Sequence, residues 1–308
     1  MSGAEFVPLS LPPLVIGVLA AVACALPGNF LVLRKQALIG DAISHVVLPG
    51  IVVAFLVTGV VSAWPMMIGA ALAALVAVGL IEAIRRLGRI EPGAAMGVVF
   101  TAMFAGGVLL LEQSDTSSVH LDVEHALYGN LESLIWLDAT GWQSLWDPVA
   151  LAGLPDELLR MAITLLVVGL FTWVLWRPLK ISTFDAGFAE AVGVPTGTVG
   201  LGLVVVSAIA AVAAFDAVGS IIVIAMFICP PAAARMMTNS LERQVFWSVV
   251  FAVLSAVLGY VFAGYGPLWF GAANAVSAAG MIATVSGILL GLAAVFGPCR
   301  TRSGAPVA

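Results

Sequence analysis

The 308-residue chain is 62% hydrophobic and 9% charged, where soluble domains average roughly 45–50% and roughly 25%. That composition excludes a soluble globular enzyme, a disordered scaffold and a secreted disulfide module, and the net charge of −5 leaves no electrostatic footprint for nucleic acid. Cys24, Cys229 and Cys299 are too scattered for a disulfide framework or a CxxC metal pair, and the long uncharged runs predict a polytopic, all-α membrane protein.

The first apolar run covers residues 10–33, and no lysine or arginine precedes Arg34, so it reads as a span and not a signal peptide. The second, 38–61, opens with Gly40-Asp41-Ala42-Ile43-Ser44-His45 and continues to Leu48-Pro49-Gly50. Runs at 63–84, 92–111, 158–176, 194–214, 217–238, 244–263 and 271–297 follow, giving nine in all. Each is close to the roughly 20 residues that a helix needs to cross hydrocarbon. Continuous apolar runs also exclude a β-barrel, whose strands alternate in short stretches. Eight spans are the alternative, by merging two runs, but the basic residues then no longer segregate. With nine spans and the N-terminus outside, eleven of the twelve basic residues share one side, Arg160 being the exception. That side is therefore read as cytoplasmic, with the C-terminus on it.

The same topology puts the loop at about 112–157 outside. It carries nine of the seventeen acidic residues, His120 and His125, and no lysine or arginine. His120, Asp122, Glu124 and His125 form its candidate metal-capture or docking group; a plain solvated acidic loop is the other reading. Leu121–Leu131 reads as short interfacial helices, and Trp136, Trp142 and Trp146 are expected at the headgroup level. No internal repeat, soluble domain or GxxxxGK[ST] loop occurs, so any ATP hydrolysis must come from another chain.

An ionisable residue inside the bilayer is costly and so a functional candidate. Asp41 and His45 are four apart, which sets both on one helical face with Ser44 at its border. A carboxylate and an imidazole so placed can grip a divalent transition metal. They can equally form a buried ion pair that tethers helices, and spacing alone leaves both open. Pro49 lacks an N–H, which frees the carbonyl of His45. Asp216, between the sixth and seventh runs, is either a gate or relay at the outer mouth or a helix N-cap. Ile228-Cys229-Pro230-Pro231 resembles the Cys-Pro motif of heavy-metal P-type pumps, but the chain has no room for their phosphorylated domain. Cys229 is thus expected as a small core hydrophobe, and the prolines should free the Met226 and Phe227 carbonyls. Glu82 is expected to pair with Arg85 and Arg86, and Asn29, Asn274 and the serines of the last run to hydrogen-bond between helices.

These residues resemble the permease subunits of ABC importers for zinc and manganese. Leu33–His45 with Leu48-Pro49-Gly50 is similar to that family's signature. His125–Asn130 resembles its short external helix, and Phe184-Asp185 with Ala189, Ala191 and Gly193 its cytoplasmic segment. Val218–Val223 and Pro231–Arg235 resemble its late signature, so the likeness runs from about residue 31 to 240. It implies one permease domain over residues 1–308 of a multi-pass protein of the cytoplasmic membrane. It further implies a second permease protomer, an ABC ATPase subunit and an extracytoplasmic metal-binding protein. The cargo would be zinc or manganese, with no permanently bound cofactor. The resemblance carries metal coordination to Asp41 and His45, and ATPase coupling to a segment at about 184–194 with Phe184, Asp185, Glu190 and Gly193. Where the family has proline and an acidic residue after Phe184-Asp185, this chain has Ala186 and Gly187, leaving Glu190 to supply the acidic contact. A proton-driven secondary cation transporter, with Asp41 and His45 as a relay, is the alternative function.

Overall fold

A computed structural model describes residues 3–59, 63–88, 90–113, 131–269 and 276–299. Among them regular structure is helical throughout. The helices are α1 (Gly3–Leu9), α2 (Leu11–Leu33), α3 (Ile39–Thr58), α4 (Ala63–Gly88), α5 (Pro92–Gln113), α6 (Pro148–Ala152) and α7 (Asp156–Val174). There follow α8 (Trp176–Phe184), α9 (Ala186–Ala191), α10 (Thr196–Val218), α11 (Ser220–Met237), α12 (Leu241–Trp269) and α13 (Ala278–Phe296), and single 3-10 turns occupy Leu131–Ser133 and Trp142–Trp146. Nine stretches of the described residues are long and apolar enough to cross a bilayer, the first running through α1 and α2. Eight spans are set aside. The expected fifth span, 158–176, ends two residues early, at a break that lets α8 leave as a separate helix carrying Arg177 and Lys180.

Helix ends follow local chemistry. Pro12 and Pro13 lie in the first turn of α2, where a missing N–H costs nothing. Gly59 ends α3 in the left-handed conformation (φ 67°), its N–H donating to the Phe55 carbonyl.

Two three-helix groups, α3–α4–α5 and α11–α12–α13, are joined by α2 and α10. Helix α2 packs on α7, α10, α11 and α12, and α10 packs on α2, α3, α4 and α7. Phe30 and Leu31 of α2 and Met226 and Phe227 of α11 are fully buried there. Lipid is as apolar as leucine, so close packing and polar bonds hold such helices together rather than the hydrophobic effect. Gly50 and Gly69 let α3 and α4 touch backbone to backbone: a Cβ on Gly50 would lie 2.5 Å from the Gly69 carbonyl oxygen. Between α2 and α12, Gln244 Nε2 donates to Asn29 Oδ1 at 3.3 Å, the interhelical bond expected of Asn29. Asn274 lies outside the described residues. Ser277 instead caps α13, accepting from Gly280 N–H. The Phe227 carbonyl, which Pro231 frees, faces Gly28 of α2.

Candidate functional site

Helix α3 carries Asp41 in its first turn and His45 one turn on. Asp41 Oδ1 and His45 Nε2 are 3.6 Å apart, with side chains 33% and 37% exposed. That is too long for a hydrogen bond, and close to the about 3.4 Å that separates neighbouring ligands on a tetrahedral zinc with bonds near 2.1 Å. The imidazole is oriented by α5. It stacks on Phe100 (centroids 5.2 Å apart, planes at 21°) and meets Phe104 edge-on at 5.4 Å. Pro49, a turn further, lies within continuous α3 and packs its ring against Gly107 of α5. Among the described residues no group of three or more His, Cys, Asp or Glu side chains assembles.

A cavity of about 790 Å³ opens at the end of the bundle that carries the basic residues. Its walls include Ala42, Ile43 and Val46 of α3, Arg34 and Thr183, but neither Asp41 nor His45. The pair therefore faces away from this cavity, on another side of α3.

His120, Asp122, Glu124 and His125 lie outside the described residues. The described part of the loop after residue 130 is tied down: Glu132 Oε1 accepts from Ala278 N–H at 2.5 Å. Trp136 departs from the expectation of a headgroup position. It is 1% exposed, and its indole N–H donates to the Ala150 carbonyl at 2.7 Å, which satisfies the polar handle internally. Trp142 and Trp146 are exposed.

Asp216 is not an N-cap. It lies inside the last turn of α10, where Arg160 Nη1 of α7 pairs with its Oδ2 at 2.7 Å. Arg160 Nη2 also meets Glu157 Oε1 at 2.6 Å, and its Nη1 lies 3.1 Å from Met67 Sδ of α4. The one basic residue on the wrong side of the charge pattern is thus held by two carboxylates. Glu82 pairs with Arg85 at 2.9 Å. Cys229 is only half-buried.

At the basic end, Asp185 caps α9 by accepting from Phe188 N–H at 2.8 Å. Glu190 Oε1 accepts from Thr196 Oγ1 at 2.6 Å, so it braces α9 against α10. Gly193 closes the segment at φ 83°. Phe184, Phe188 and Val192 are 54%, 56% and 52% exposed. Phe188 and Val192, four apart along α9 and its C-cap, form one apolar ridge, and Phe184 precedes it across the extended Asp185. Sequence reasoning had named only Phe184 of the three; the spacing was the available signal for the others.

The ABC 3 transport family matches residues 8–139 and 150–296. The chain belongs to that family. It is a membrane component of an ABC transporter and not an enzyme, ATP hydrolysis falling to a separate subunit. Manganese transport system membrane protein MntD of Bacillus subtilis is 38% identical over 287 residues, 92% of this chain and 90% of that protein. Zinc transport system membrane protein TroD of Treponema pallidum is 34% identical over 290 residues, 94% of this chain and 74% of that protein. PsaBC from Streptococcus pneumoniae, solved in complex with Fab, matches with a TM-score of 0.73 at 27% identity, over 94% of this chain and 92% of that one. The proton-driven alternative finds no support in these similarities.

Proposed function

We propose that this permease moves a divalent transition metal ion, manganese or zinc, into the cytoplasm, with Asp41 and His45 as its ligands. The observation that carries the reading is the exposure of this pair, 33% and 37%, on a helix long and apolar enough to span the membrane. A carboxylate and an imidazole cannot be left against lipid; they face a water-filled path or a second copy of the chain. One protomer supplies two ligands and a structural zinc takes four. Two protomers meeting at this face supply two carboxylates and two imidazoles, a full tetrahedral set. Manganese would use the same set with waters completing six.

The chain then works as a pair in the cytoplasmic membrane, with its N-terminus outside as the arginines indicate. An ATPase subunit docks on the exposed 184–192 segment, and a metal-binding protein delivers the ion to the outer loop, where His120, Asp122, Glu124 and His125 are candidate contacts. The relatives named for manganese and for zinc support this cargo class.

Uptake of radioactive manganese or zinc by proteoliposomes that hold the complex, with ATP inside and the binding protein outside, tests it. Asp41→Asn and His45→Ala should each abolish uptake while the ATPase still co-purifies. Near-normal uptake by the double variant would return the pair to a structural tether.

A further inference from the structure

Arg34, in the turn between α2 and α3, reaches the far end of α8. Its Nη2 donates to Ser182 Oγ at 2.8 Å and its Nε to Thr183 Oγ1 at 3.0 Å. Thr183 stands two residues before Asp185, the cap of α9, and Arg34 stands seven residues before Asp41. One guanidinium thus joins the root of the exposed ridge to the root of the helix bearing the ligand pair. We propose that Arg34 is a positioning residue that carries movement of the α8–α9 arm to Asp41 and His45. The proposal rests on reading that ridge as the ATPase contact.

Three features of the contact suit Arg34 to this task. A guanidinium is a rigid planar fork, so bonds from Nε and Nη2 together fix direction as well as distance. Ser182 spends its own hydrogen on the Pro178 carbonyl at 2.6 Å, which leaves its oxygen to accept from Arg34. Arg34 is part-buried, and among the described residues no carboxylate lies within ion-pair distance of it. Arg34 also borders the open cavity, so losing the two hydroxyls would release its guanidinium to water and uncouple the turn from the arm.

The turn itself is strained. Lys35 has φ 58°, and among the described residues it is the sole non-glycine with positive φ. The Gln36 N–H to Leu31 carbonyl bond, 2.8 Å, fastens it to the end of α2. Finally, α3 has somewhere to go. Ala42, Ile43 and Val46 border the 790 Å³ cavity, whereas a close-packed neighbour would resist displacement. Gly40 rests on the buried Phe227 ring, where a Cβ would come within 2.9 Å, and that contact serves as the fulcrum.

The test compares metal moved with ATP hydrolysed in proteoliposomes containing the permease–ATPase complex, supplied with the metal-binding protein and manganese or zinc. Arg34→Ala should keep the ATPase bound and hydrolysing, yet lower metal moved per ATP by about tenfold or more, within the usual range of a coupling between sites. Arg34→Lys keeps the charge but not the fork, and should fall between. Ser182→Ala with Thr183→Val should reproduce Arg34→Ala, and adding Arg34→Ala to that pair should cost nothing further. An unchanged ratio of metal to ATP would overturn the proposal, even if folded yield and uptake fell together, since that marks a simple bolt. Additive losses across the two sides would overturn it as well. Scrambling 186–194 tests the underlying reading separately: an ATPase that stays bound refutes the docking surface, whereas one that detaches leaves the Arg34 result to speak for the strut alone.

Discussion

The imidazole of His45, set against Phe100 and Phe104, should tolerate no aliphatic substitute: His45→Leu keeps apolar packing, removes the ligand nitrogens and should abolish uptake. An assay of initial uptake rates at fixed metal reads this directly. Asp41→Glu should retain part of the activity, because the longer side chain shifts the oxygens by a methylene from a pair already set at 3.6 Å. Full activity in Asp41→Glu would mean that the carboxylate position is not critical. Arg160 sits between Glu157 and Asp216 at 2.6 and 2.7 Å. Arg160→Ala leaves two neighbouring carboxylates without their cation. We expect a loss of about 2–3 kcal/mol, below the roughly 3–5 of a fully buried pair, since Asp216 stays one-third exposed. Thermal unfolding in detergent should show a clear drop for Arg160→Ala and a smaller one for Asp216→Asn, in which Arg160 keeps Glu157. The proposed ligand pair was legible in the sequence because both members sit on one helix at a fixed spacing. Phe100 and Phe104 were not, since nothing in a single chain says that α5 will lie against that face. Nor was the partner of Arg160, which arrives from a helix 56 positions away.

Between helices, contacts are set by the smallest side chains. Gly50→Val should push α3 off α4, because the added carbons meet the backbone of Gly69 and Ala70. A loss of about 2 kcal/mol or more is expected for such overpacking, measured as lowered thermal stability and folded yield. Gly59→Ala is a poor control, as it sits at φ 67°; Gly79→Ala, with nothing near its hydrogen, should be silent. Lys35→Gly removes the left-handed penalty of about 1–2 kcal/mol per non-glycine residue, offset by about 0.5–1 of unfolded-state entropy. A small gain in stability is the expected outcome. On α9, Phe188→Ala should weaken ATPase co-purification more than Glu190→Ala, since Phe188 is exposed whereas Glu190 is spent on Thr196. The nine hydrophobic runs anticipated the nine membrane-crossing stretches of the described residues, because crossing hydrocarbon imposes a length that composition alone reveals. The parts that escaped are where tertiary contacts decide. Trp136 turned inward onto Ala150, and Arg34 bonded to hydroxyls 148 and 149 positions away. Polarity alone had no means of showing either.

For the molecule as a whole, sidedness is the first property to establish. Cysteines placed at Gln143 and at Gly187, in a background lacking Cys24, Cys229 and Cys299, should react with an impermeant thiol reagent from opposite faces of the membrane. Gln143→Cys should label in intact cells and Gly187→Cys only after permeabilisation. The reverse pattern would invert the orientation derived from the arginines. The exposed Asp41–His45 face has a further consequence, for the life of the subunit before it works. A newly made copy that has found no companion carries a charged stripe against lipid tails. Such an orphan is the kind of chain that membrane proteases extract and destroy. Supply would then regulate itself: surplus copies are cleared and only assembled ones persist. The half-life of the permease should lengthen when its companions are made in balance. It should also lengthen for a lone copy bearing Asp41→Leu and His45→Leu, which cannot transport but no longer offends the bilayer.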